Sequence, residues 1–180
     1  MNAHAIELNL QTVQQLFNSM DPSPFHERDL DQDAESFIES WAQECPRKTG
    51  IRIVIHLAQP SAVPDAKIAD SIRNYYRYKA DLNRNELRRL FREGWTSLVV
   101  GVIFLAVCET VAHSLAHQTG EMMRIFTEGL IIIGWVAMWR PLDTYLYRWW
   151  PIRRLGRIHR KLAVAAVEVR TATKPDPAQA

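Results

Sequence analysis

Alternating hydrophobic and polar residues mark two short segments near the amino terminus. Residues 5–10 read AIELNL and residues 51–57 read IRIVIHL, so apolar side chains recur at every second position. This period of two predicts half-buried β-strands. Between them, apolar residues at helical spacing predict a helix over residues 13–20 and a second helix that is closed by Pro46. The pattern therefore predicts a small α+β head, residues 1–64, in the order strand, helix, helix, strand.

The second helix of the head has an apolar face that we expect to lie in the core. Asp29 and Asp31 stand where an N-cap belongs, because a carboxylate there accepts backbone N–H groups of the first turn. The expected core face consists of Ala34, Phe37, Ile38, Trp41 and Cys45.

Two strands make only a marginal sheet, so the head needs a further strand. One source is the end of the chain, where Val167, Val169 and Thr171 alternate with Glu168 and Arg170. The other source is a strand of a neighbouring subunit, which would make the head an oligomerisation module. We favour the neighbouring subunit, because so small a protein has little buried polar surface of its own from which to form a site.

Helical spacing continues after the head into two apolar stretches. No Pro or Gly lies between Asp65 and Gly94, which predicts a stalk helix over residues 65–94; the alternative is a helix that bends at residues 83–85. The next 22 residues contain one Glu and no Lys, Arg, Asp or Pro. A helix over them is about 33 Å long, enough for a hydrocarbon core of about 30 Å.

These stretches predict a membrane-spanning helical hairpin. We assign a first span to residues 95–117, an external turn to residues 118–121 and a second, less apolar span to residues 122–141. The alternative is a soluble helical hairpin that is buried in a core.

Charge is divided unevenly along the chain. Residues 1–44 carry nine acidic residues and one basic residue, whereas residues 140–161 carry seven basic residues and one acidic residue. Because Trp, Ile and Leu separate these bases, they favour anionic lipid over nucleic acid as the partner. We expect residues 142–171 to form a basic amphipathic interfacial segment, and residues 172–180 to be a disordered tail. The predicted headgroup-binding bases are Arg140, Arg148, Arg153, Arg154, Arg157, Arg160 and Lys161.

The same bases predict an orientation. They follow the second span, and another set of bases precedes the first span: Arg84, Arg88, Arg89 and Arg92. Trp95 and Trp139 accompany the two sets, as at a cytosolic membrane interface. The amino terminus has no signal-peptide pattern. We therefore expect an inner-membrane protein with both termini in the cytosol. The acidic run over residues 21–33 is either a structural loop with a helix cap or a docking surface for a basic partner.

Five ionisable residues lie inside the predicted spans: Glu109, His113, His117, Arg124 and Glu128. Counted from the centre of the hairpin, Glu109 and Glu128 fall at one depth, and His113 and Arg124 fall at another. Such groups belong in a bundle interior or a water-filled cavity. Three roles compete: polar contacts between helices, proton or ion transfer, and a metal or haem site.

The sequence predicts a membrane α+β protein without a catalytic motif. With 180 residues and two isolated cysteines, it contains neither a disulfide framework nor a Cys/His zinc module. No nucleotide-binding or hydrolase motif occurs, so we expect no cofactor, no metal and no catalytic residue. The expected role is a homo-oligomeric scaffold, anchor or accessory subunit. The alternative is a small ion or proton channel or transporter, and an enzyme or redox subunit comes third.

Overall fold

The computed structural model describes residues 4–46, 49–115 and 120–171. Its elements are β1 (His4–Leu10), a 3-10 turn (Val13–Leu16), α1 (Gln32–Glu44), β2 (Ile51–Leu57), α2 (Asp65–Leu115), α3 (Glu121–Ala137), α4 (Trp139–Asp143), a π-helical segment (Thr144–Arg148), α5 (Trp149–Leu162) and β3 (Ala166–Thr171). The chain divides into two compact units. We call the described parts of residues 1–82 and 155–180 the head unit, and residues 83–154 the helical unit.

The three strands form one parallel sheet in the order β1-β2-β3. Ile6 pairs with Ile53 and Leu8 pairs with Ile55, while Val167 pairs with Ile53 from the other side. Parallel neighbours need a crossover connection. The chain therefore passes through α1 between β1 and β2, and through all of α2 to α5 between β2 and β3.

The third strand of the sheet comes from the same chain. β3 occupies the segment in which sequence alternation marked a candidate strand, so the end of the chain is confirmed as a source. The strand from a neighbouring subunit, which we favoured, is not needed to complete this sheet. Any oligomer must be argued from other surfaces.

Helices cover one face of the sheet. Ile53 and Ile55 are fully buried beneath α1, the start of α2 and the end of α5, which contribute Ile38, Ile72 and Leu162 to the core. The opposite face is charged and includes an ion pair of 3.1 Å between Arg52 and Glu168. The head unit is thus a two-layer structure with one open sheet face.

The core face of α1 differs from the predicted one. Phe37 and Trp41, which we expected in the core, are each 43% exposed, and their ring centres are 6.0 Å apart. Ala34, Ile38 and Cys45 are buried as predicted, and Ala42 is buried as well. The reason is that Glu35 turns towards Lys79 on α2 and Glu39 turns towards His159 on α5, which places the two aromatic rings outside.

The predicted helix over residues 13–20 is wrong beyond its first turn. Only Val13–Leu16 is helical, and Phe17 is extended and forms a bridge with Leu30. The backbone N–H of Asp31 donates to the carbonyl of Leu16 at 3.0 Å. This segment therefore bonds to the loop before α1, and those hydrogen bonds replace the helical ones.

Two helical stretches of the described chain are long and apolar enough to cross a membrane. They are Asp65–Leu115, which continues without a break through residues 83–85, and Glu121–Leu162. Their most apolar windows have mean hydropathies of 2.1 and 1.4. Helix α2 continues without a break through the segment in which we predicted a stalk, and it is long and apolar enough to cross a membrane.

The second stretch is irregular one turn before Pro141. Regular α3 ends at Ala137, and Met138 caps it. Pro141 has no N–H to bond the carbonyl of Ala137, and its ring crowds that carbonyl, so the irregularity appears four residues earlier.

Helix α5 is amphipathic as predicted, but its apolar stripe has a different use. Ile158 and Leu162 are buried in the core of the head unit. The carboxyl-terminal half of α5 is therefore a structural helix of the head, and its apolar side is not available to a membrane interface.

We predict that cysteines replacing His56 and Arg170 form a disulfide within one chain. These residues are paired on neighbouring parallel strands, where Cα atoms lie about 5 Å apart, within disulfide range. The test uses a background with Cys45→Ala and Cys108→Ala, oxidation and a non-reducing gel. Asn9→Cys with Arg170→Cys is the control, because β2 separates those strands. A band of dimer size from the first pair would contradict an intrachain β3.

Candidate functional site

The ionisable residues of the two apolar helices lie on the outer surface of those helices. Glu109, His113, Arg124 and Glu128 are all exposed. Arg124 and Glu128 are 74% and 66% exposed at their side chains, and they form an ion pair of 3.7 Å. Glu109 has no hydrogen-bond or ion-pair partner among the described residues. His117 lies outside the described residues. The four described residues of the predicted cluster are thus not enclosed between α2 and α3.

Close contacts at glycine bring α2 and α3 together. A Cβ added at Gly134 would lie 2.9 Å from Leu105 Cδ1 and 3.2 Å from Cys108 Cβ, and one added at Gly101 would lie 3.1 Å from Met138 Sδ. Small residues permit this approach of two helix backbones. Because the contacts run in opposite directions along the two helices, α2 and α3 pack as an antiparallel pair.

Each ionisable residue directly follows a residue on or beside this contact. The pairs in sequence are Cys108–Glu109, Ala112–His113, Met123–Arg124 and Thr127–Glu128. One residue rotates the chain by about 100° around a helix. In an antiparallel pair this rotation leads to the same side of both helices. We call the surface formed by Glu109, His113, Arg124 and Glu128 the polar side.

The contacts also set the depth of each charge. Gly134 lies opposite Leu105 and Cys108, so Glu128, six residues earlier, lies level with residues 111–114 of α2. Glu128 therefore lies at the same depth as His113. Glu109 lies about one helical turn, about 5 Å, from that depth. The predicted layer with both carboxylates at one depth is wrong, because the helices pack with a shifted register.

The predicted lipid-binding bases have two different surroundings. Four are exposed in the helical unit: Arg140, Arg148, Arg153 and Arg154. Trp139 and Trp150 in the same unit are exposed as well. The other three lie in the head unit: Arg157, Arg160 and Lys161. The ammonium of Lys161 donates to the carbonyl oxygens of Pro46 and Thr49 at 3.1 and 3.2 Å, so it ties α5 to the loop after α1.

A charged cluster in the head unit joins α1 to α2 and α5. His159 Nε2 is 2.6 Å from Glu39 Oε1, and the two side chains are only 3% and 18% exposed. Lys79 Nζ is 2.6 Å from Glu35 Oε1 and 5.4 Å from the ring centre of Tyr75. These contacts give two acids of α1 a partner inside the head unit.

Sequence reasoning missed this cluster, although one signal was present. His159 stands within the apolar stripe of α5, between Leu155 and Leu162, where a polar residue needs a buried partner. The spacing of Glu35 and Glu39, four residues apart, places both on one face of α1. The sequence does not show which helix packs against that face of α1.

Hydrogen bonding and burial change the pKa values in this cluster. The hydrogen bond from His159 lowers the pKa of Glu39 from its ordinary value of 4.5, against an opposing effect of burial. Burial raises the pKa values of Tyr75 and Tyr76 far above the physiological range. The tyrosines thus stay neutral.

The acidic loop of the head contains a structural carboxylate. Asp21 accepts backbone N–H groups from Ser23 at 2.9 Å and from Asp29 at 2.8 Å, and these bonds lower its pKa. The side chain of Asp31 caps α1 by accepting the N–H of Asp33 at 3.0 Å, as predicted. These two acids organise the loop over residues 21–33, whereas its docking role stays a prediction.

Across the described residues, no three His, Cys, Asp or Glu side chains converge as metal ligands. Comparison of the chain with protein-family models, with curated proteins and with solved structures gives no match.

We predict that Glu39→Gln destabilises the head unit by about 2 kcal/mol at neutral pH, because it weakens a buried charged hydrogen bond to His159. A lowered pKa stabilises the fold above the ordinary value of 4.5 and ceases to do so as the pH falls through the lowered value. The wild type should therefore lose this advantage in acid. Urea titration of the detergent-solubilised chain, read by pulse proteolysis of the head, measures the difference in the free energy of unfolding between the wild type and the variant. Glu44→Gln, an exposed change on the same helix, is the control; equal effects of both variants would contradict the assignment.

Proposed function

We propose that this protein is an integral membrane scaffold or accessory subunit that holds an acidic head at the cytosolic surface of the inner membrane. The observation that carries the proposal is the exposed apolar surface of α2 and α3. Their most apolar windows are only 17% and 6% buried, whereas a core helix of a soluble protein is mostly buried. The exposed apolar residues include Val100, Ile103, Val107, Ile125, Ile132 and Val136.

Basic and aromatic residues support an interfacial position for one end of this surface. Trp95 on α2 and Trp139 at the start of α4 are 63% and 71% exposed. Exposed arginines precede Trp95 (Arg84, Arg88, Arg89 and Arg92) and follow Trp139 (Arg140, Arg148, Arg153 and Arg154). Both sets fit anionic lipid headgroups. By the positive-inside rule, this end faces the cytosol together with both termini.

The head unit is suited to binding a protein partner. Its three-stranded sheet is completed within the chain, and Glu39 and Glu35 are paired with His159 and Lys79. On α1, the exposed rings of Phe37 and Trp41 lie between Asp33 and Glu44, two exposed acids. Aromatic rings flanked by acidic groups suit a basic segment of another protein.

A small ion or proton channel or transporter is the second candidate. The observation that favours it is the polar side, because ionisable groups in a span can line a water-filled path between subunits. The shifted register weakens it, since Glu109 and Glu128 are not level and do not form a shared proton site.

We predict that a membrane-impermeant maleimide added to intact cells labels Gly120→Cys and not Met20→Cys. Gly120 precedes α3 with no atom within 4 Å of an added Cβ, and Met20 in the head is 89% exposed. Cys45 and Cys108 are buried and make poor reporters. Permeabilised cells should label both variants. Labelling of Met20→Cys alone, or release of the chain by alkaline carbonate, would overturn the topology or the membrane insertion.

We predict that the wild-type protein in liposomes leaves a pH gradient as stable as in empty vesicles, because Glu109, His113, Arg124 and Glu128 lie on the outer surface of α2 and α3 and do not line an enclosed path between them. A pH-sensitive dye inside the vesicles measures the decay. Glu109→Gln is compared with Glu121→Gln at the start of α3. A gradient that collapses with wild type but survives with Glu109→Gln, at unchanged oligomer size, would establish the channel instead.

A further inference from the structure

The polar side needs an occupant once α2 and α3 are inserted in a bilayer, and this step rests on the proposed function. Hydrocarbon offers no hydrogen bonds, so Glu109, which has no hydrogen-bond or ion-pair partner among the described residues, cannot face lipid without a large cost. The helix pair does not cover Glu109, which is exposed together with His113, Arg124 and Glu128. Another helix pair must therefore lie against this side.

A second copy of this chain has the required charges. The polar side carries a cation and carboxylates together with a histidine, so it is complementary to itself under a two-fold rotation. With both copies inserted in the same direction, α2 of one copy faces α3 of the other. Residues at equal depth then meet, and the register places His113 level with Glu128.

The half of the polar side that lies nearer to Trp139 has a shape that fits a second copy of the chain. An open apolar depression of about 500 Å³ is lined by residues of α3 and its carboxyl-terminal end: Ile131, Ile132, Trp135, Val136 and Trp139. Ala106 on α2 lies level with this depression and is exposed on the polar side. A small side chain at this position lets α2 of a second copy enter the depression.

Glu109 obtains a donor in this arrangement. Trp135 directly follows the contact residue Gly134, so it lies on the polar side, and it is 63% exposed. Trp135 lies about one helical turn from the depth of Glu109, on the side of the proposed cytosolic interface. Side chains lean towards the amino terminus of their own helix. In antiparallel helices, Glu109 and Trp135 therefore lean towards each other, which brings the indole N–H within reach of the carboxylate of the second copy.

We propose that two copies of the chain associate through the polar side, with His113 of each copy bonded to Glu128 of the other and Glu109 of each copy bonded to Trp135 of the other. The result is a four-helix membrane bundle without an aqueous pore. Each copy contributes a head unit on the same side of the membrane, so the dimer presents two partner-binding surfaces.

Two co-expressed copies with different tags, each with one cysteine in the Cys45→Ala and Cys108→Ala background, test the interface. Ala106→Cys in one copy and Ile132→Cys in the other should oxidise to a mixed-tag dimer in native membranes. Val107→Cys with Ile132→Cys is the matched control, because Val107 has the same depth on the opposite side of the pair. Crosslinking of the control pair only, or of neither pair, would overturn the interface.

Charge exchange tests the His113–Glu128 contact independently of the cysteines. His113→Glu should raise the dimer dissociation constant in detergent about tenfold, since a membrane hydrogen bond contributes about that much. The exchange of both residues, His113→Glu with Glu128→His, should restore association. The control is Ser114→Glu on the far side of α2, whose dissociation constant should not be changed by adding Glu128→His. No restoration would overturn the pairing. Failure of membrane insertion in the maleimide test would instead refute the proposed function, so the two failures are distinguishable.

Discussion

Strand β2 hydrogen-bonds to strands on both sides, and the chain runs through α2 to α5 before it supplies the second of them. Both ends of this long excursion are fixed in one sheet, because parallel pairing of β2 with β3 requires a crossover. The end of α5 returns to the same core as the start of α2, through Leu162 and Ile72. The apolar helices are therefore an insertion within a crossover of the head, and the head is incomplete until they have been synthesised.

The charged residues of the chain fall into two groups, which differ in whether they have a partner in a protein core or lie on an outer surface. In the head unit, Glu39 and Glu35 obtain partners within the same core, from His159 and Lys79. On α2 and α3, Glu109 faces outward. Water would hydrate such a group, and a bilayer would not. In the dimer that we propose, association of two copies supplies the partner for Glu109 that a bilayer does not supply.

Packing decided features that periodicity alone left open. Phe37 and Trp41 share the helical stripe of α1 with Ile38, yet only Ile38 is buried, because salt bridges to neighbouring helices set the rotation of α1. In the same way, the close contact at Gly134 set the register of α2 against α3. Counting residues from the centre of the hairpin predicted Glu109 and Glu128 at one depth. With the register set by the contact at Gly134, their depths differ by about one helical turn.

By itself the sequence determined the local elements: the strands, the uninterrupted α2, the cap at Asp31 and two helical stretches apolar enough to span a membrane. These depend on neighbours within a few residues, where spacing and capping chemistry act. Only the tertiary structure decided that β3 completes the sheet of its own chain, that His159 meets Glu39, and that the polar side faces outward. Those depend on contacts between segments as many as 120 residues apart, and amphipathic patterns show that a face is buried without showing what buries it.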